Sequence, residues 1–192
     1  LWQPWIFSGM PTADAFTYIS SLYFPNYILN LFSFSSNLTQ LLHLLFSGIG
    51  SYLFLRFIGV KTISAFLGGS AFMLTPFMIT MIVFGHGSQV MTAAYIPWIM
   101  MFTMKLFRNP NSINIGILAL LMGFQLQRAH VQIAYYTWML IGAYVFITLL
   151  FDMREKTNKN KPLISLGAFT LSAILAVAVA LVIYLPSLEY TP

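Results

Sequence analysis

PLISLGAFTLSAILAVAVALVIYL, at residues 162–185, is a run of 24 residues without a charged side chain. About 20 apolar residues in a helix cross the ~30 Å hydrocarbon layer of a bilayer. Backbone N–H and C=O groups inside that layer must find partners within the protein, which selects helices over irregular chain. The stretch therefore predicts a membrane-spanning helix.

Similar apolar stretches fill most of the chain. They lie at 38–58, 62–84, 92–107, 112–128 and 131–151, and glycine, proline, asparagine and lysine occupy the breaks. Of the 192 residues 59% are hydrophobic and only 7% are charged, whereas a soluble domain has about 25% charged residues. We therefore expect an all-α, polytopic integral membrane protein with about six transmembrane helices in residues 38–192.

The stretches 92–107 and 112–128 are short for a full crossing. A re-entrant hairpin is the alternative, but it would bring Lys105 and Arg108 deep into the bilayer. Each buried charge would cost roughly 2.5–3.5 kcal/mol on insertion scales. The sequence therefore favours two full spans.

Residues 1–37 are not a span, because Pro4, Gly9, Pro11 and Pro25 break the segment and Asp14 lies in its middle. Its many aromatic residues suit a position along the membrane interface. We expect short amphipathic helices at 16–23 and 25–34, hinged at Pro25. An ordered connector without chemistry is the alternative interpretation.

The basic residues predict the orientation, because cytoplasmic loops are enriched in lysine and arginine. With residues 1–37 outside, only Arg128 among the basic residues is extracytoplasmic. The other eight then lie inside: Arg56, Lys61, Lys105, Arg108, Arg154, Lys156, Lys159 and Lys161. The net charge of +5 lies in these short breaks, so it does not indicate nucleic-acid binding. The absence of cysteine excludes disulfides and thiolate metal sites.

In this orientation the polar residues collect at the outer face. Two breaks contain histidine–glutamine pairs: FGHGSQVMTAAYIPW at 84–98 and QRAHVQIAYYTW at 127–138. His43 lies about one turn into the first span from the same side. The residues at or just below the outer surface are Asp14, His86, Gln89, Gln127, Arg128, His130, Gln132 and Glu189.

These polar side chains have several possible roles at the outer face. Arg128 can bind phosphate bidentately, or it can anchor the chain at the interface. His86 and His130 can donate hydrogen bonds to phosphate or ligate a metal, or they can bond to loop backbone. Asp14 or Glu189 can accept a hydroxyl proton or hold a divalent cation. No spacing here is diagnostic of a metal site, so a divalent cation stays an alternative.

Several segments, in order, resemble the bacterial YfhO-type membrane proteins. They are LWQPWIFSGMPTADAF (1–16), YFPNYILNLF (23–32), FGHGSQVMTAAYIPWIMM (84–101), QRAHVQIAYYTWMLI (127–141) and PSLEYTP (186–192). The resemblance implies a GT-C superfamily glycosyltransferase of the bacterial cytoplasmic membrane, with residues 1–37 extracytoplasmic. Such an enzyme transfers a sugar from a polyprenyl-phosphate carrier to a cell-envelope acceptor such as teichoic acid.

The resemblance also implies roles for individual residues. Asp14 becomes a second acidic participant and the candidate catalytic residue of this chain. For the lipid-linked phosphate donor that the resemblance implies, the substrate-binding candidates are His86, Gln89, Arg128, His130, Gln132 and Glu189. The family's leading acid lies at the end of a first span that would precede Leu1. We therefore expect the chain to be a piece of a longer protein.

Two other function classes stay open at this point. A secondary transporter would have its site near the membrane midplane, where this chain has almost no ionisable groups. A non-catalytic scaffold subunit would leave the polar residues scattered. An outer cavity that gathers them would favour the enzyme, and a path through the membrane would favour the transporter.

Overall fold

The computed structural model is all-helical apart from one short strand pair, and it describes residues 2–3, 10–11, 23–128, 130–154 and 161–189. Side chains are described for 23–128, 130–152 and 162–185. The strand pair joins β1 (Trp2–Gln3) and β2 (Met10–Pro11). The helices are α1 (Pro25–Leu31), α2 (Ser36–Phe57), α3 (Thr62–Met73), α4 (Pro76–Val83), α5 (Gly87–Ala93), α6 (Ile96–Arg108), α7 (Ser112–Gln127), α8 (Val131–Arg154) and α9 (Lys161–Glu189).

Within the described residues, five helical segments are long and apolar enough to cross a membrane, which indicates a multi-pass membrane protein. They are Ser36–Phe57, Thr62–Val83, Gly87–Arg108, Val131–Asp152 and Pro162–Leu185. The expected count of six is therefore one too high by this measure. The sixth stretch forms α7, whose 16 residues extend only about 24 Å. The third span is longer than expected, because its helix begins at Gly87 rather than at residue 92.

Two of the spans are broken at prolines. Pro76 begins α4 after a break at Leu74 and Thr75, and Pro97 lies in the first turn of α6 after a break at Ala94 and Tyr95. Proline has no N–H and leaves a helical carbonyl without its usual donor. Pro76 deprives Phe72 of that donor, and the Thr75 hydroxyl donates to the Phe72 carbonyl at 3.1 Å.

Side chains from other helices complete the packing at the second break and along α2. The Thr92 carbonyl accepts a long 3.4 Å bond from Tyr95 N–H and a 3.2 Å bond from the Gln125 side chain. Trp98 Nε1 of α6 donates to the Phe46 carbonyl of α2 at 2.9 Å, and the two rings stack. The broken third span is thus fixed by neighbours on both sides.

Small residues allow the closest helix contacts. A Cβ on Gly69 of α3 would lie 2.8 Å from the Gly48 carbonyl oxygen of α2, so only glycine fits there. Gly68 likewise lies close to Leu55 of α2, so the two glycines of α3 mark a tight contact between these helices. In the same way Gly123 of α7 lies against Val179 of α9. Such close approach of backbones is how helices associate in lipid, where hydrophobic burial does not drive them together.

The helices run so that the bundle has two chemically different ends. The His–Gln end contains the N-termini of α2, α5 and α8 and the C-terminus of α7. Gln40 there lies against Gly87. The basic end contains the C-termini of α2 and α6, with Arg56, Lys105 and Arg108 in their last turns. The prediction that these basic residues share one side of the bundle is confirmed.

Candidate functional site

A cavity of about 430 Å³ opens at the His–Gln end between α4, α5, α6 and α8. Three of the residues singled out in the sequence line it: Gln89, His130 and Gln132. Tyr136 and Thr137 add hydroxyl groups one turn further along α8. The remaining lining is apolar: Phe77, Ala93, Ile96, Ile133 and Leu140. The cavity therefore combines polar groups near the helix ends with an apolar interior.

The two helix breaks shape this cavity. Phe77 follows the break at Pro76, and Ala93 and Ile96 flank the break at Tyr95. In an unbroken helix these side chains would follow one regular helical surface. Each break instead changes the direction of the chain beside the cavity. The His–Gln sequences thus face a space that the nearby prolines help to form.

His130 is the titratable residue in the cavity wall, and it is partly buried. Burial lowers the pKa of His130 below its ordinary value of 6.5; its own backbone opposes this shift, and charge repulsion from nearby His86 adds to it. Its Nδ1 atom is buried and makes no hydrogen bond to another described residue. A neutral imidazole with an unused ring nitrogen can donate to, or accept from, a polar ligand.

The other members of the His–Gln sequences differ in exposure. His86 is exposed at the residue before α5 and lies outside the cavity lining, within electrostatic reach of His130. Gln89 is partly buried, one turn into α5. Gln132 is exposed, and its Nε2 donates to the Tyr136 hydroxyl at 3.0 Å. The cavity mouth therefore presents two amides, one imidazole and one phenol.

Arg128 is not in this cavity. Its side chain is fully buried, and its guanidinium carbon lies 4.7 Å above the Tyr23 ring centre. A guanidinium over an aromatic face is attracted by the ring electrons. The structure thus does not support the interpretation of Arg128 as an interfacial anchor that extends to lipid phosphate. It places the residue in the packing between α1 and α7.

Tyr23 belongs to a buried hydrogen-bonded chain with His43 and Tyr95. His43 Nδ1 lies 2.8 Å from the Thr39 carbonyl oxygen, which can only accept, so Nδ1 donates. The neutral ring then accepts at Nε2 from the Tyr23 hydroxyl at 2.7 Å, and Tyr23 also contacts the Tyr95 hydroxyl. His43 is therefore a buried hydrogen-bonding residue of the first span. The chain connects α1, α2 and the break before α6.

Gln125 is a buried polar residue that the sequence analysis did not single out. Its Nε2 donates to the Thr92 carbonyl at 3.2 Å and lies 2.9 Å from the Thr137 hydroxyl, which itself donates to the Ile133 carbonyl. Gln125 of α7 therefore bonds to α5 and α8, the two helices that contribute Ala93 and Thr137 to the cavity wall. The available signal was a glutamine inside the apolar stretch 112–128.

Gln127, by contrast, is a structural bridge. Its Oε1 accepts from the Phe24 N–H at 3.1 Å, at the start of α1. Its Nε2 donates to the Val179 carbonyl of α9 at 2.8 Å. It was counted with the outer-face residues, and the structure buries it completely.

Neither of the two acidic candidates has a side chain among those that the structure describes. Asp14 lies outside the described residues, and Glu189 ends α9 with a side chain that is also outside them. Within the described part of the chain, no three histidine or acidic side chains come together as metal ligands. The described site is therefore a set of neutral hydrogen-bonding groups around His130.

Neither the known protein families, nor the curated proteins, nor the solved structures contain a match to this chain. The site can accept a polar group at the mouth through amide and imidazole hydrogen bonds, with an apolar group in the interior. That combination suits an amphiphilic molecule better than a small ion.

Proposed function

We propose that the chain is part of a bacterial membrane glycosyltransferase of the GT-C type. It would take a sugar from a polyprenyl-phosphate carrier and transfer it to an extracytoplasmic cell-envelope acceptor resembling teichoic acid. The observation that carries the proposal is the cavity at the His–Gln end. The ordered resemblance to YfhO-type proteins supplies the reaction class.

The cavity supports this proposal through its division into polar and apolar parts. A lipid-linked sugar has a phosphate and a sugar at headgroup depth and a hydrocarbon chain below. Gln89, His130 and Gln132 suit the first part, and Ile96 and Leu140 suit the second. Three of the outer-face polar residues share this one cavity, which also favours an enzyme over a scaffold with scattered groups.

The proposed reaction is a direct displacement at the anomeric carbon. The acceptor hydroxyl oxygen forms the new bond to that carbon, and the bond to the carrier phosphate breaks, with its electron pair leaving on the phosphate. His130 and the amides of Gln89 and Gln132 would donate hydrogen bonds to the developing phosphate charge. The acceptor proton would pass to a carboxylate, either Asp14 or the family's leading acid.

The test measures sugar transfer by the full-length protein in membrane vesicles with a labelled polyprenyl-phosphate sugar. We expect His130→Ala and Gln89→Ala each to lower transfer by at least about tenfold, or ~1.4 kcal/mol of transition-state stabilisation. Asp14→Asn tests the acidic role in the same assay. Membrane levels and thermal stability of every variant are measured in parallel.

Gln40→Ala is the matched control for Gln89→Ala. Gln40 lies at the same end and is also partly buried, but it does not line the cavity. Transfer by the control should stay within about twofold of wild type, since it alters no cavity group. Equal transfer by wild type and by all the cavity variants would refute the proposed site, and absence of transfer with every donor would refute the enzyme.

A secondary transporter is the second candidate, and the broken spans favour it. Transporters bind substrates where discontinuous helices meet near the membrane midplane. Here the breaks before Pro76 and around Tyr95 both border the cavity. Uptake or flipping of a labelled lipid without sugar transfer would identify this alternative.

A further inference from the structure

At the basic end, one aromatic ring holds two cationic side chains. The Arg108 guanidinium carbon lies 4.2 Å from the centre of the Phe57 ring, and Lys105 Nζ lies 5.7 Å from the same centre. Lys105 Nζ is also 4.5 Å from the Phe102 ring centre. Phe57 is the last residue of α2, and the two cations are in the last turn of α6. Both cations therefore lie beside the Phe57 ring at the junction of two helix ends, and Lys105 also packs against Phe102.

A cation that lies beside an aromatic ring can still bind an anion, whereas a cation paired with a carboxylate is already neutralised. Asp152 is the one acidic residue whose side chain the structure describes. Cations outnumber it at the basic end, because Arg56 and Lys61 add two more exposed positive charges there. Arg56 Nη1 is already engaged, because it donates to the Val60 carbonyl at 2.8 Å. Arg108 is exposed and Lys105 is partly exposed, so both remain accessible to an anion.

The position of the pair along the spans indicates which anion. Arg108 ends the span Gly87–Arg108, and Phe57 ends the span Ser36–Phe57. Ends of spans lie at the headgroup level of a bilayer, where lipid phosphates are concentrated. The nearest and most abundant anion for this pair is therefore a phospholipid headgroup.

We propose that Phe57, Lys105 and Arg108 form a binding site for the phosphate of an anionic phospholipid in the leaflet at the basic end. The guanidinium offers a planar pair of donors to the phosphate, and the ammonium adds a second charge. Phe57 restricts both side chains beforehand, which lowers the entropy lost on binding. The site is separate from the cavity at the His–Gln end, and it does not depend on the proposed reaction.

The test measures lipid binding by the purified full-length protein in nanodiscs made with zwitterionic lipid and a titrated fraction of phosphatidylglycerol. Retained phosphatidylglycerol is counted by native mass spectrometry. We expect Arg108→Gln to lower the affinity about fivefold, which corresponds to ~1 kcal/mol for one interfacial cation. Phe57→Leu leaves every charge in place, yet it should also lower the affinity, because the cations lose their support.

Arg56→Gln is the matched control. It removes one exposed arginine from the same end, but one that does not contact Phe57. We expect it to change the affinity much less than Arg108→Gln does. An equal loss with both arginine variants and no effect of Phe57→Leu would show diffuse attraction instead of a built site. Equal retention of phosphatidylglycerol and zwitterionic lipid by wild type would overturn the proposal outright, as would stronger competition by free inorganic phosphate than by lipid.

Discussion

At the residue scale, three glutamines near the end of α7 and the start of α8 have different roles because their surroundings differ. Gln125 is buried and bonds to two neighbouring helices, and Gln127 is buried and joins α1 to α9. Gln132 is exposed at the cavity mouth. A buried amide that loses its partners leaves the partner groups unsatisfied, whereas an exposed amide exchanges its bond for water.

Gln125→Leu should therefore lower the free energy of unfolding by about 1–3 kcal/mol, because the Thr92 carbonyl loses its stronger donor. Unfolding of the protein in detergent, followed by circular dichroism, measures the change. Gln132→Leu is the control and should stay within about 0.5 kcal/mol of wild type, as exposed substitutions do. Similar losses in the two variants would contradict the assigned bonding.

The partly buried His130 predicts a pH effect with a definite sign. Since the pKa of His130 is lowered by folding, the unfolded chain binds more protons than the folded chain below about pH 6.5. Above that pH, His130 is neutral in both states and does not lower the free energy of unfolding. As the pH falls below it, the free energy of unfolding decreases. Wild type should lose more thermal stability between about pH 7 and about pH 5 than His130→Gln does. Parallel melting curves for the two proteins at all pH values would count against this prediction.

At the element scale, the helices follow from the sequence more directly than their joints do. Apolar length predicted six helical stretches, and the structure interrupts two of them, at Pro76 and just before α6, which contains Pro97. In the break that contains His86, only Gly85 has a positive φ, of 77°, and Gly87 already begins α5. One glycine suffices for the turn, because only one residue there needs the left-handed conformation.

The candidate site was harder to predict, because its neighbours are distant in the chain. Gln89, His130 and Gln132 were expected at one face, and the structure brings them to one cavity. Arg128 packs against Tyr23, which lies more than 100 positions earlier in the chain, and no local sequence pattern encodes that contact. Local periodicity specifies what a residue can do, and packing between distant helices decides which residues meet.

Glycine substitutions test the helix contacts directly. A Cβ on Gly50 of α2 would overlap the Trp98 indole of α6, whereas a Cβ on Gly116 of α7 would have no neighbour within 4 Å. Gly50→Ala should destabilise the protein by about 1–3 kcal/mol through overpacking. Gly116→Ala should be neutral or stabilise it by up to about 1 kcal/mol, because alanine favours helix. Gly116→Ala should therefore melt at a higher temperature than Gly50→Ala. A higher melting temperature for Gly50→Ala would refute the α2–α6 contact.

At the scale of the whole molecule, the bundle separates charge from neutral polarity. Cations gather at the C-termini of α2 and α6, where the helix dipole also favours positive charge. Amides and imidazoles gather at the opposite end, around the cavity. Since lysine and arginine are retained in the cytoplasm during insertion, this separation predicts one orientation in the membrane.

Single-cysteine labelling can measure that orientation, because the chain contains no cysteine. Asn37→Cys marks the His–Gln end, and Asn109→Cys marks the basic end; both residues are exposed. In intact cells a membrane-impermeant maleimide should label the first variant and spare the second. Detergent-solubilised protein should label at both positions, which controls for accessibility. Labelling of Asn109→Cys from outside intact cells would refute the orientation.

The bridge made by Gln127 has a consequence for the order in which the molecule is assembled during synthesis. Its amide joins Phe24, 103 positions earlier, to Val179, 52 positions later. A ribosome releases Phe24 long before Gln127 or Val179 exists, so the segment before α1 can first bond through Tyr23 to His43 and Tyr95. The contact with Gln127 follows when α7 emerges, and the bridge closes only after α9 has followed. The earliest of the described helices to be synthesised thus completes its contacts only when the last of them is in place.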